Sequence, residues 1–289
     1  MLSKALISAA ALISAAQAQG QVPPMTIPPP NKISATKLIL VGDSTMAVQG
    51  GWGPSFCARH ISSTIACLNL ARGGRSSGNY RTEGSWDIAL SEMKTGPYEK
   101  IYVLIQFGHN DQPGKPGRST DLATEFPANL ARYVAEARAV GASPILVTPL
   151  SRRQYKDGRL VQDLAPWADA TRRVARQVNV PLIDLHKRST EILQALGPNY
   201  SMKFAQRPPA PAVWGAATSG TTIDAASPVA PVQPAPLAPR ATATAEPIGA
   251  PKLSFDYTHL RPEGADFFAA LVVEELARTV PGLRRNLIP

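Results

Sequence analysis

KLILVGDSTM, residues 37–46, decides how the chain folds. Leu38 to Val41 are aliphatic without a break, so this strand has no polar face and suits burial on both sides. Gly42 permits a sharp turn directly after it. Asp43-Ser44-Thr45 then supply residue types that cap a following helix. Apolar runs of the same kind return at 64–70 (TIACLNL), 100–107 (KIYVLIQF), 143–148 (SPILVT) and 180–185 (VPLIDL). Amphipathic stretches with helical spacing lie near 53–62, 84–94, 120–140, 163–178, 186–196 and 262–279. Strand alternating with helix predicts an α/β fold: a flavodoxin-like three-layer sandwich with a five-stranded parallel sheet, spanning 37–289. In such a sheet ligands bind beyond the carboxyl ends of the strands. The residues following each run are therefore the candidates for function.

Three segments stand apart from this pattern. Residues 1–18 combine Lys4, an apolar stretch from Ala5 to Ala16 and the A-x-A site Ala16-Gln17-Ala18, the arrangement of a secretory signal peptide. The apolar run is too short to span a bilayer, and a secreted or periplasmic protein is expected. Residues 19–36 are a Pro-rich leader linker. From about 203 to 251 roughly half the residues are Pro or Ala, with no apolar period, which predicts a disordered insertion.

The 289 residues carry a formal charge of +9, and loss of Lys4 with the signal would leave +8. Nucleic acid is a poor match for this charge in an exported protein, and no basic helix interleaved with aromatics is present. An acidic polysaccharide fits better. The two cysteines, Cys57 and Cys67, are either a disulfide closing a short loop or two buried thiols on adjoining elements. His60, His109, His186 and His259 are scattered without metal-ligand spacing. No metal, no cofactor and a monomeric state are expected.

Chemistry-bearing residues gather at the predicted strand ends. Ser44 follows the first strand, at a turn that would expose its hydroxyl and aim its own N–H at a bound oxyanion. Ala71-Arg72-Gly73-Gly74-Arg75-Ser76-Ser77 follows the second, and its glycines let a backbone N–H approach a reacting carbonyl. Phe107-Gly108-His109-Asn110-Asp111 follows the third, where the Asn110 amide can donate to the same oxygen. Asp256-Tyr257-Thr258-His259 precedes the last helix. There Asp256 can reach His259 Nδ1 and leave Nε2 facing a serine hydroxyl.

The order Ser, Gly, Asn, Asp/His resembles the SGNH hydrolase superfamily, also called GDSL esterases. GDSTMA at 42–47, GGWG at 50–53, GGRSS at 73–77, RTEG at 81–84, FGHND at 107–111 and DYTHL at 256–260 look like its rhamnogalacturonan acetylesterase branch. The resemblance covers about 37–280 apart from the insertion. It implies Ser44 as nucleophile, His259 as general base and Asp256 as its orienter. The oxyanion hole would be the N–H groups of Ser44 and Gly74 with the Asn110 amide. The implied substrate is an acetylated, anionic polysaccharide such as rhamnogalacturonan. Arg75 and Arg81 are candidates for holding it, with Arg152 and Arg153 completing a basic ring around the mouth. Asp43, Asp111, His60, His109, His186, Trp52 and Trp86 read as structural. A lipase or thioesterase of the same superfamily, or an exopolysaccharide O-acetyltransferase, is the alternative. A non-catalytic glycan-binding module would be expected to have lost part of the quartet, which is complete here.

Overall fold

The computed structural model describes residues 35–223 and 255–289. The expected leader (1–18), most of the linker (19–36) and the later part of the insertion lie outside them. Five strands form one parallel sheet: β1 (Thr36–Gly42), β2 (Ile65–Asn69), β3 (Lys100–Gln106), β4 (Ser143–Val147) and, after a short hairpin of β5 (Tyr155–Lys156) and β6 (Arg159–Leu160), β7 (Leu182–Ile183). Their order is β2-β1-β3-β4-β7, the doubly wound arrangement predicted from the apolar runs. The helices are α1 (Gly53–Arg59), α2 (Asn79–Thr82), α3 (Ser85–Met93), α4 (Glu125–Ala139), α5 (Ala165–Gln177), α6 (Leu185–Met202), α7 (Pro211–Thr218) and α8 (Pro262–Thr279), followed by a 3-10 turn, Pro281–Asn286. Gly197, with φ 73°, breaks α6 just before Pro198.

The uninterrupted aliphatic run of β1 has the consequence expected of it. Leu38 and Leu40 point into a core shared with Phe56 of α1 and with Phe268, Val272 and Leu276 of α8. Ile39 and Val41 point into a second core with Trp86 of α3, Leu130 and Val134 of α4, and Val174 of α5. Each fully buried aliphatic side chain contributes about 1.5–3 kcal/mol, so one strand anchors both helical layers. Trp52 and Trp86 are both buried packing residues. Cys57 of α1 and Cys67 of β2 form a disulfide, which decides the alternative the sequence left open. No helix among the described residues is long and apolar enough to cross a membrane.

The expected insertion begins too early. Residues 203–223 are part of the fold. Phe204 stacks on Phe267 with ring centroids 4.9 Å apart, and its carbonyl accepts the Arg261 N–H at 3.0 Å. Val213 and Ala217 of α7 pack with Met202 and Tyr257 in a small third core. Thr222 donates its N–H to the Tyr155 carbonyl at 2.9 Å, tying this segment to the β5–β6 hairpin. An alanine-rich helix with two inward contacts carries too little apolar contrast to show a period. The remainder of the expected insertion, from 224 to about 251, falls outside the described residues.

Candidate active site

In the order β2-β1-β3-β4-β7 the chain winds one way from β1 to β2 and the other way from β3 onward. β1 and β3 therefore flank the crevice where such sheets bind ligands. Ser44 follows β1, and Asn110 follows β3. The two strands are in register up to Gly42 opposite Gln106. A Cβ on Gly42 would lie 2.6 Å from the Gln106 carbonyl oxygen, so the close approach of the two strand ends requires glycine there.

A buried hydrogen-bond chain fixes the turn that carries Ser44. Asp43 Oδ1 accepts the Thr45 N–H at 2.9 Å and the Thr45 hydroxyl at 2.8 Å. Gln106 Nε2 donates to Thr45 Oγ1 at 2.6 Å, and Trp52 Nε1 donates to Gln106 Oε1 at 3.0 Å. With the turn pinned from below, Ser44 itself stays half-buried at the surface of the crevice. His109 lies under the same turn, its Nδ1 3.4 Å from Asp43 Oδ2. Burial, opposed by Asp43, holds the His109 imidazole below its ordinary range, so it is a neutral structural ring at neutral pH.

The loops after β2 and β3 are joined beneath the crevice. Asp111 Oδ1 accepts the Ser77 N–H at 3.0 Å, the Ser77 hydroxyl at 2.6 Å and the Thr120 hydroxyl at 2.9 Å. Asn110 Nδ2 donates to the Arg75 carbonyl at 3.0 Å. That bond uses one of the two amide protons and leaves the second available to another acceptor. Gly74 has φ 77°, which turns its peptide in a way that non-glycine residues rarely adopt. A Cβ on the preceding Gly73 would lie 3.8 Å from Ser44 Cβ, which brings the glycine loop against the serine.

The fourth motif closes on itself as expected. His259 Nδ1 is 2.6 Å from Asp256 Oδ2, while Asp256 Oδ1 accepts the N–H groups of Thr258 at 2.7 Å and His259 at 2.6 Å. Burial would raise the Asp256 carboxyl, but the His259 ring and these two N–H bonds together hold it at about 2. It is therefore ionised at neutral pH and holds the imidazole through Nδ1, on the opposite side of the ring from Nε2. Gly50, on the loop that continues from Ser44, braces the histidine. A Cβ there would lie 3.1 Å from His259 Cβ, and the Gly50 carbonyl accepts the Leu260 N–H at 2.9 Å. Ser44 Oγ and His259 Nε2 make no mutual hydrogen bond in this structure; such bonds often tighten only in the substrate complex.

Sequence reasoning missed the residue that holds this turn. Arg153 donates its backbone N–H to the Tyr257 carbonyl at 2.9 Å. Its guanidinium donates to the carbonyls of Asp256 (3.2 Å), Thr258 (3.2 Å) and His259 (2.8 Å). Burial lowers the guanidinium to about 10, still charged at neutral pH. The expected basic ring is thus corrected: Arg153 is 1% exposed and cannot meet a ligand. Arg152 pairs with Asp163, Arg75 with Glu83 at 2.9 Å and Arg81 with Glu136 at 2.8 Å. All four are already engaged within the protein. In the pair Arg152-Arg153 nothing in the sequence distinguishes a buried arginine from a surface one.

Asp111 generates a pH-dependent expectation. Its carboxyl is pushed up to about 6, by burial first, with the Ser77 and Thr120 bonds opposing. Between the ordinary carboxylate range and about 6, the folded protein keeps a proton that the unfolded chain has released. Stability therefore falls as pH rises through that window. An Asp111→Asn variant lacks this titration, and its carbonyl can still take the three bonds now made to Oδ1. Urea unfolding should show its stability relative to the parent rising by about 2 kcal/mol between about pH 4 and about pH 7. A difference independent of pH would contradict this reading of Asp111.

The sequence pattern of the GDSL-like lipase/acylhydrolase family matches residues 40–196. A probable rhamnogalacturonan acetylesterase of Bacillus subtilis (YesY) is 36% identical over 162 residues, covering 54% of this chain and 72% of that protein. A rhamnogalacturonan acetylesterase of Emericella nidulans is 40% identical over 184 residues, covering 56% and 72%. Among solved structures, the YxiM protein of Bacillus subtilis superposes with a TM-score of 0.57 at 21% identity, over 85% of this chain and 57% of that one, a likeness of fold. The chain spans a little over half the length of that structure. By sequence pattern, relatives and fold together, this chain belongs to the GDSL-like lipase/acylhydrolase family and is a carboxylic ester hydrolase.

Proposed function

We propose that the protein is an exported carbohydrate acetylesterase that removes acetyl groups from rhamnogalacturonan, with Ser44, His259 and Asp256 as its catalytic residues. The observation that carries this reading is the 2.6 Å contact between His259 and an ionised Asp256, on a turn braced by the loop that leaves Ser44. In the proposed reaction His259 Nε2 takes the Ser44 proton as Oγ attacks the acetyl carbonyl. The developing oxyanion meets the Ser44 and Gly74 N–H groups and the second proton of the Asn110 amide. Each such donor contributes on the order of 3 kcal/mol to the transition state. The imidazolium, stabilised by Asp256, passes its proton to the departing sugar hydroxyl. Water then releases acetate from Ser44 by the reverse path. The names of the two sequence relatives support the polymer. The leader-like residues 1–18 and the Cys57–Cys67 disulfide support export to the periplasm or beyond.

One feature favours a second reading. A cavity of about 610 Å³ lies beside Gly50, with Val48, Pro54, Ala58, Leu260 and Ala265 giving it apolar walls. Such a space could take a longer acyl chain, as in a lipase-like member of the family. Acyl-chain preference separates the two: an acetylesterase prefers p-nitrophenyl acetate over the octanoate, and the opposite preference would favour the lipase reading.

Ser44→Ala should lower kcat by roughly 10⁴-fold or more in a folded sample, and Asn110→Ala by about 10²–10³-fold. Near-normal turnover by Ser44→Ala would remove the proposal. Arg153→Met strips three carbonyls of their partner, and should lower kcat on p-nitrophenyl acetate by about 10²-fold with little change in KM. Arg153→Lys, keeping the charge but not the fork, should recover part of that loss. A loss of thermal stability in Arg153→Met with kcat unchanged would show that the residue merely supports the fold.

A further inference from the structure

We propose that the groove beside Asn110 and Gly74 is a carboxylate-binding subsite, in which Arg118 and Arg132 hold a uronate unit of the polysaccharide next to the reacting acetyl group. The inference rests on the acetylesterase reading for its substrate, and on the arrangement of charges for its location.

The groove has a volume of about 450 Å³ and runs along the start of α4, with Asn79, Arg81, Arg118, Asn129 and Arg132 among its walls. Arg118 joins it to the site. Arg118 Nη1 is 3.4 Å from Asn110 Oδ1 and 3.6 Å from where a Cβ on Gly74 would stand. The Ser77–Asp111–Thr120 hydrogen bonds lie next to it, since Gly78 and Thr120 both line it. A carboxylate held by Arg118 would therefore lie beside the proposed oxyanion donors.

Positive charge outnumbers negative in this groove: Arg81, Arg118 and Arg132 line it with Glu125, and Glu136, paired with Arg81, also acts on Arg132. On this side of the crevice Arg72 and Arg75 pair with Glu83, and Arg81 pairs with Glu136. Among the described residues Arg118 and Arg132 have no ion pair, and Arg132 makes no side-chain hydrogen bond. Glu125 is the acid that lines the groove, and its carboxylate accepts the Asp121 N–H at 2.7 Å. Lys115 adds a third unpaired cation close by. Partial burial lowers its ammonium first, the charges of Arg152 and Arg118 lower it further, and Asp43 and Asp163 oppose them. An excess of positive charge along a groove attracts an incoming anion. Two guanidinium groups favour a planar carboxylate, which each can grip through two parallel N–H bonds. A uronate presents such a group on its ring; a neutral sugar such as xylose does not. The charge complementarity expected of Arg75 and Arg81 is thus available from Arg118 and Arg132.

The test is inhibition of p-nitrophenyl acetate hydrolysis by unacetylated trigalacturonate, with neutral xylotriose as the control. Arg132→Gln is the cleaner variant, because Arg118 also touches Asn110; the double variant Arg118→Gln/Arg132→Gln completes the series. Losing one charge-assisted carboxylate contact should raise the trigalacturonate Ki about tenfold in Arg132→Gln, and further in the double variant. The xylotriose Ki should stay the same in all three proteins. Trigalacturonate that fails to inhibit the parent enzyme, or a Ki unchanged in both variants, or an equal rise for xylotriose, would overturn the subsite. Acetate release from acetylated rhamnogalacturonan is measured alongside. If the parent releases none while inhibition remains arginine-dependent, the subsite stands and the proposed polymer falls. Release with no arginine dependence of Ki removes the subsite and leaves the esterase.

Discussion

Four consecutive carbonyls, those of Asp256, Tyr257, Thr258 and His259, all accept hydrogen bonds from one residue, Arg153. The N–H groups of Thr258 and His259 go to the Asp256 carboxylate. This turn belongs to no helix or strand, so its geometry is set by these bonds and by its contacts with neighbouring loops. Burying a guanidinium is costly unless its donors are satisfied. Arg153 offsets most of that cost by serving the carbonyls of the turn that carries the proposed acid–base pair, and only its buried Nε lacks a hydrogen-bond partner. Because Arg153 itself follows β4, the imidazole is referred to the sheet.

The remaining groups inherit their positions from the same sheet. Ser44 and Asn110 leave adjacent parallel strands at the point where the winding direction reverses, and Gly74 leaves the strand on the other side of β1. Three loops leaving neighbouring strands could still drift independently. The Asp111 bonds to Ser77 and Thr120, and the Asn110 bond to the Arg75 carbonyl, make the two loops that carry the proposed oxyanion donors one unit. The chain from Trp52 through Gln106 and Thr45 to Asp43 does the same for the serine turn. In the proposed reaction such a framework would have the donors in place before charge develops, which is what makes oxyanion donors effective in a transition state.

Much of this was legible in the sequence because the responsible signals are local. Five aliphatic runs have no other stable home than a sheet covered on both faces, and Asp256-x-x-His259 spans one turn by its spacing alone. What escaped reading depends on partners distant in the chain. Arg153 and Arg132 look alike in sequence; only the fold buries the first against residues 256–259 and leaves the second exposed. Arg75 and Arg81 look available until Glu83 and Glu136 arrive beside them. Residues 203–223 carry the composition of a linker, yet Phe204 reaches the aromatic pair Phe267 and Phe268, and Val213 reaches Met202. A few well-placed contacts suffice to fold a segment whose average composition predicts none.

The central claim is that acyl transfer runs through Ser44, activated by His259. A phosphonate ester that mimics the tetrahedral intermediate tests it most directly, with the modified residue located by mass spectrometry of the inactivated enzyme. The account predicts a single adduct on Ser44, formed in proportion to lost activity and nearly abolished in His259→Ala. Inactivation with the adduct on another residue, or labelling of Ser44 that proceeds equally well without His259, would contradict it.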